Sequence, residues 1–376
     1  MSRWHIITGE YPPQPGGVSD YTYLVAYELA KTGDEVEVWA PECRQEQLQD
    51  ADIQIHRLPG RFGPRALAIL DRAISDANSS RLLVQYVPHA FGWKAMNLPF
   101  CCWLYARRRR NITVMFHEVV FPKSATQRLR HKLIGTITPV MAMLAAKAAA
   151  RIFIASSSWE NVLRPMLPVG WPITLLPVPS NVPLVNDEDG IQTIRERYTL
   201  PEELLVGHFG TYAPRTGEYL EMLLRELVRN RRLRVICFGR GGKIFCEQLI
   251  RQYRSFVGRV HGVGELDEAQ LSLHLSACDL MIQPYPDGIS TRRGSAMAAL
   301  SHGRAVVTTK GASTEALWSA SDAVVMAPIG DIGPLTEAVT NLLNDDRERQ
   351  RLGRNARKLY LDHFDVRHTI AALRRA

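Results

Sequence analysis

A chain of 376 residues is too long for one ordinary hydrophobic core and suits two domains of about 150–200 residues each. With 46% hydrophobic and 22% charged residues it reads as a globular protein, and no apolar run approaches the ~20 residues that a bilayer span needs. The formal net charge of +8 suits nucleic acid, an anionic membrane surface or a phosphate-bearing substrate, and its sign alone does not choose among them. The amino end lacks the longer apolar core and small-residue cleavage site of a signal peptide, so the expected location is the cytoplasm. Six cysteines (43, 101, 102, 237, 246 and 278) form no CxxC pair and no matched Cys/His spacing, which argues for buried thiols rather than a disulfide framework or zinc site.

In chain order, short β-branched runs alternate with helical patterns: "WHIIT", "EVEVWA", "IQIHRL", "RLLVQYV", "ITVMFHE" and "RIFIAS". Such alternation is the signature of βα units around a mainly parallel sheet. The first strand leads into "EYPPQPGGVSDYTYLVAYELA", where Gly16 and Gly17 precede a helix expected to start near Ser19. Glycines there let backbone N–H groups approach a ligand, and a helix start favours an anion or a sugar hydroxyl. Arg107–Arg110 is the sharpest basic cluster, and Arg128, Arg130, His131 and Lys132 precede the apolar stretch "LIGTITPVMAMLAAKAAA". That pairing can rest on anionic lipid, or it is a solvated loop and a buried helix. His117 and Glu118 follow a middle strand at its exit.

The alternation stops in "LPVPSNVPLVNDEDG", rich in Pro, Asn and Asp, and restarts with "LLVGHFG", "LRVICFG", "RVHGVG", "DLMIQPY", "AVVTTKG" and "AVVMAP". This places a first domain at 1–178, a linker at 179–203 and a second domain at 204–355, with 356–376 a helical tail read as crossing back to the first domain. The expected fold is α/β, two doubly wound Rossmann-like domains facing a cleft, since ligands of such sheets bind beyond the carboxyl ends of the strands. Glycine-lined turns follow three strands of the second half: Gly210, Thr211 and Arg215 in the first, Gly239 and Arg240 in the second, Val263 in the third. The fourth loop, "PYPDGISTRRGSAMAALSHG", turns at Asp287 and Gly288, continues through Ile289, and is expected to open a helix at Ser290 and Thr291. Free N–H groups there, with Arg292 or Arg293, suit a diphosphate without a metal. The acidic runs at 186–190 and 344–348 fall in linker and tail and read as solvated charge.

At these residues the sequence resembles the retaining GT-B-fold glycosyltransferases of family four (glycosyl transferases group 1), over nearly its whole length. The resemblance rests on the Gly16-Gly17 loop, the strand-exit His117, "VPSNVP", "GTYAPRTG" and "PYPDGISTRRGSAMAALSHGRAVVTTKG". It implies that the first domain binds an acceptor, the second a nucleotide-sugar donor, and that no cofactor or metal is needed. The family's first motif glutamate falls on Asp287 and its second, the ribose ligand, on Ser295. Its donor-phosphate Arg and Lys fall on Thr211 and Thr216, which leaves Arg215 as a shifted substitute and makes Arg292 and Arg293 candidates for the missing positive charge. His117 is then expected near the transferred sugar and Asp287 to orient sugar hydroxyls.

The expected partners are a nucleotide-sugar donor and a sugar, lipid-linked or small-molecule acceptor, with peripheral contact at an anionic inner membrane face allowed. Competing readings are a catalytically silent binding subunit, favoured by Ser295, a sugar-nucleotide epimerase, and a phosphorylase, which needs a pyridoxal-phosphate lysine where only Lys243 and Lys310 stand in loops. Nucleic-acid binding ranks last, because no basic face carries interleaved aromatics.

Overall fold

A computed structural model describes residues 2–43, 52–75, 80–120 and 129–375. Arg128 lies outside the described residues, and so do the side chains of Arg130, His131 and Lys132. The chain divides into two compact units, Met1–Val178 with Val366–Ala376, and Pro179–Asp365.

The first unit is built on β1 (Arg3–Thr8), β2 (Glu35–Pro41), β3 (Ile53–Leu58), β4 (Arg81–Tyr86), β5 (Ile112–Phe116), β6 (Arg151–Ile154) and β7 (Ile173–Leu175). They pair in the order β3-β2-β1-β4-β5-β6-β7, all parallel. A parallel sheet buries both faces, which is why its strands read as continuous apolar runs. In β4, Leu82, Val84 and Tyr86 join a cluster with Phe91, Phe100 and Phe116, while Leu83 joins Trp4, Ile6 and Val25 on the other face. β7, too short for its pattern to register in the sequence, is an edge strand of three residues.

Met141, Ala142, Ala145 and Ala146 of helix Leu129–Ala148 are fully buried in the first of these clusters. These four side chains fill protein core, as the buried-helix alternative for the apolar stretch expects. Among the described residues no helix is long and apolar enough to cross a membrane. The final helix, Val366–Arg375, inserts Ile370 and Leu373 beside Trp4 and Leu29. Arg374 anchors it through Asp34 Oδ2 at 2.9 Å. The boundary placed at 356 falls inside helix Asp346–His363, which buries Leu352, Ala356 and Tyr360 in the second unit.

The second unit carries β8 (Leu204–Phe209), β9 (Leu233–Phe238), β10 (Val260–Gly264), β11 (Leu280–Gln283), β12 (Ala305–Lys310) and β13 (Val325–Pro328), in the order β10-β9-β8-β11-β12-β13 and again all parallel. The segment read as a linker contains helix Glu188–Tyr198, whose Ile194 packs with Leu273 and whose Arg195 reaches Asp279 at 3.1 Å. Its N-cap is Asp187, and Asp345 caps helix Asp346–His363 in the same way, so each acidic run starts a helix. Of the six cysteines, Cys102 is exposed and Cys43 half-buried, which corrects the reading of all six as buried.

The chain order reverses between β1 and β4 in one sheet and between β8 and β11 in the other, and at such a switch adjacent loops leave in opposite directions and open a crevice. In the second unit the exits of β8, β9 and β10 are bonded together. Gly210 donates its N–H to the Phe238 carbonyl at 3.2 Å, and Gly239 donates to the Gly264 carbonyl at 2.7 Å. Gly239 has φ 98°, and a Cβ there would stand 2.5 Å from the Gly210 oxygen. Gly239→Ala is therefore expected to cost about 2 kcal/mol or more and lower the second unit's melting transition on the order of 5 °C in scanning calorimetry; an unchanged transition would mean that these loops separate freely.

Candidate functional site

The loop after β11 is organised by one carboxylate. Asp287 accepts from Arg292 Nη2 at 2.9 Å through Oδ2 and from Arg293 through Oδ1. Ser313 donates its hydroxyl to Oδ2 at 3.1 Å and its N–H to the Asp287 carbonyl at 2.9 Å. Burial opposes ionisation of this carboxyl, and Arg293 and Arg292 outweigh it, holding the group below the ordinary carboxylate range. Two guanidinium groups thus meet at one carboxylate. Arg293 also lies over the Tyr285 ring at 4.6 Å, and its Nε is buried with no acceptor.

Gly288, at φ 90°, lets this loop press on Gly311 and Thr314, where a side chain has no room. The helix starts at Gly294, not at Ser290–Thr291. The physical reason is a competing acceptor: Glu315, 9% exposed, takes the Thr291 N–H at 3.1 Å and its hydroxyl at 2.9 Å, with Trp318 Nε1 at 2.9 Å. Ile289 gives its N–H to Thr309 at 2.8 Å, and Ile289, Ser290 and Thr291 are fully buried. Their backbones shape the loop, while the N–H groups that the first helical turn leaves without an intrahelical partner are those of Gly294 and Ser295. Ser295 Oγ lies 2.8 Å from the Tyr285 hydroxyl and close to Gly210.

Thr211 and Arg215 are exposed at the start of helix Pro214–Leu227. Arg240 is exposed and paired with Glu265 at 3.1 Å, and Val263 is half-buried in β10. Sequence reasoning missed Glu315, Tyr285 and His208. Each lies in or beside a strand of ordinary appearance, and only the fold turns them toward the loops.

In the first unit, helix Gly17–Lys31 starts two residues before the expected Ser19, with Gly16 as N-cap. The anion at its N-terminus is the chain's own: Glu10 Oε1 accepts from the Ser19 N–H at 3.2 Å. A Cβ at Gly16 would meet that carboxylate at 2.5 Å, whereas Gly17 faces open space. His117 is 7% exposed, with Nε2 2.8 Å from Gln85 Oε1 and the Tyr21 ring edge-on at 4.7 Å. Glu118 faces His89 at 3.5 Å. Of the basic cluster, Arg107 is held by Asp71 and lies 4.2 Å over Trp103, Arg108 stacks on Tyr105 at 4.7 Å, and Arg110 bonds the Ile74 carbonyl at 2.7 Å. Among the described residues no three His, Cys, Asp or Glu side chains converge as a metal site requires.

Two parallel α/β units with glycine-lined loops at the strand exits define the GT-B class of fold. Several solved structures share it. Sucrose-phosphate synthase from Thermosynechococcus elongatus is 16% identical with a TM-score of 0.76, the alignment covering 100% of this chain and 98% of that one. HepE of Anabaena, determined in complex with UDP, is 16% identical with a TM-score of 0.72 over 100% and 99%. The UDP-forming α,α-trehalose-phosphate synthase of Burkholderia vietnamiensis is 12% identical with a TM-score of 0.66 over 100% and 97%. No curated protein matches the chain by sequence. Residues 15–179 match the model of Glycosyltransferase Family 4 and residues 203–345 that of Glycosyl transferases group 1. The chain belongs to the group 1 glycosyltransferases.

Burial pushes His117 down to about 3, and His208 and His302 to about 4. Unfolding exposes these rings at their ordinary value near 6.5, so the unfolded chain binds more protons below that pH and stability falls as pH drops from about 6.5 toward the folded values. His117→Gln removes one such proton. The loss of stability between pH 7 and pH 5, read from urea midpoints, is expected to shrink by about 2 kcal/mol; an undiminished loss would mean that His117 is not held neutral.

Proposed function

We propose that this protein transfers a sugar from a nucleoside-diphosphate donor to an acceptor hydroxyl with retention and without a metal. The observation that carries the reading is the pair of guanidinium groups, Arg292 and Arg293, gathered on Asp287 at the β8/β11 switch beside the start of helix Gly294–Ser301, which has no side-chain cap. Cationic side chains and helix-terminus N–H groups are what a departing diphosphate needs. In the transfer, the bond from the anomeric carbon to the diphosphate oxygen breaks, the acceptor oxygen bonds to that carbon on the same face, and the acceptor proton goes to the leaving phosphate. Most of the assistance is positioning and electrostatic.

In this scheme Arg292 and Arg293 take the diphosphate charge, with Arg215 and the N–H groups of Gly294 and Ser295 as secondary donors. Asp287 keeps the two guanidinium groups together and, with Gly288, orients sugar hydroxyls. His117, held neutral by burial, serves as a hydrogen-bonding group toward the sugar rather than as a charge. HepE structures with UDP and UDP-glucose make uridine the first base to try. A sugar, a lipid-linked sugar or a small molecule is the acceptor class. Peripheral contact with an anionic membrane rests on the exposed arginines of the 107–110 cluster.

A catalytically silent binding subunit is the second reading, favoured by Ser295 standing where the family carries a glutamate and by the engagement of Asp287 with both arginines. Calorimetric titration with UDP, GDP, ADP and dTDP in the presence of EDTA is expected to select one nucleotide. Arg292→Ala or Arg293→Ala should weaken it by about tenfold or more, and Arg215→Ala by less. Equal, negligible losses would remove the proposed phosphate site, and nucleotide binding without donor turnover over any acceptor panel would favour the silent subunit.

A further inference from the structure

The outer edge of β7 is an open sheet margin with a cleft on either side of it. β7 ends the strand order of the first unit, and Leu176 just beyond it gives its N–H to the Ile154 carbonyl at 2.9 Å. Successive residues of a strand turn their main-chain groups to alternate sides, so those of Thr174 face β6 and those of Ile173 and Leu175 face outward. Among the described residues nothing bonds to these outward groups. Thr174 and Leu175 are exposed, and β7 carries neither the charge nor the proline that usually blunts an edge strand.

The two clefts differ in chemistry. On one face of the sheet Leu167, Val169, Trp171 and Ile173 line a cleft of about 620 Å³, and Val169 is wholly exposed. Its charged wall residue, Arg164, is already committed, paired with Glu160 and bonded through Nη1 to the Trp171 carbonyl at 2.7 Å. On the other face Phe153, Thr174 and Ala372 line a cleft of about 450 Å³ between β6, β7 and the final helix, together with Arg151 and Arg375. Both of these arginines are exposed, and among the described residues neither meets a carboxylate.

We propose that β7 takes an extended segment of an acidic partner protein as an added strand, with residues that are alternately apolar and acidic. An added strand lies about 4.8 Å from β7 and turns successive side chains to opposite faces. One set then meets the apolar cleft at Val169 and Trp171, and the other meets the guanidinium groups of Arg151 and Arg375. Main-chain bonds to Ile173 and Leu175 fix the register, as in other cases of strand addition. A strand of three residues offers few such bonds, so the clefts and the charges decide which segment binds. A second copy of the chain is the poorer occupant. A twofold axis that pairs β7 with β7 sets the same arginines beside each other on one face.

The probe is a fluorescein-labelled eight-residue peptide of alternating valine and glutamate, blocked at both ends, titrated into the full chain and read by fluorescence anisotropy. A dissociation constant on the order of 10–100 μM is expected. The same residues in block order, and an alternating valine–lysine peptide, should bind at least about tenfold more weakly. In hydrogen–deuterium exchange the valine–glutamate peptide should slow exchange within residues 172–176 and leave β3, the opposite edge strand, unchanged. Arg151→Glu combined with Arg375→Glu should turn the preference toward the valine–lysine peptide. Leu175→Pro removes an outward N–H and no bond to β6, and should abolish binding. If that variant does not fold, N-methylation of alternate peptide residues removes the donors from the other side and should have the same effect. Equal binding of alternating and block-order peptides, a preference unmoved by the charge reversal, protection away from β7, or no binding at about 1 mM overturns the proposal. So does a dimer that Leu175→Pro converts to monomer, because the edge is then taken by a second copy.

Discussion

Two guanidinium groups sharing one carboxylate set the character of the second unit. Arg292 and Arg293 repel each other, and Asp287 brings them together. The arrangement stands only because the backbone is tied down around it. Ser313 clamps Asp287 at both its carboxylate and its carbonyl, Gly288 lets two loops touch, and Glu315 pins Thr291 from below. Each of these ties is local to the exits of β11 and β12, where a parallel sheet concentrates its loops.

The two units treat their helix starts in opposite ways. Helix Gly17–Lys31 meets Glu10, so its positive end is answered within the chain and the loop before it is closed to a second anion. Helix Gly294–Ser301 has no side-chain cap and is preceded by two arginines. In the first unit His117, Gln85 and Tyr21 form a buried neutral hydrogen-bonding group.

Most of the fold was legible in the sequence because twelve of the strands are apolar runs long enough to show a pattern, and parallel sheets bury such runs on both faces. β7, with three residues, is below that threshold. Helix starts were less legible. Ser290 and Thr291 have the side chains of an N-cap, but the N–H and hydroxyl of Thr291 are claimed by Glu315, distant in sequence, and the Ser290 hydroxyl is buried without a partner. The helix inside the Pro-rich connector was hidden because its capping Asp187 looked like one more solvated acid.

The sequence by itself determined the two α/β units, the glycine turns after β8, β9 and β10, and the resemblance that places Asp287 and Ser295 in one motif, because these depend on residue type and short-range spacing. Only the tertiary structure decided which charges are spent and which remain. Arg107 is paired with Asp71, Arg240 with Glu265, and Arg292 and Arg293 both with Asp287. It also decided that His208 in β8 would stand beside Gly210 and Ser295 with a nitrogen unmatched. Partners of this kind come from strands adjacent in space and distant in sequence, so no local pattern records them.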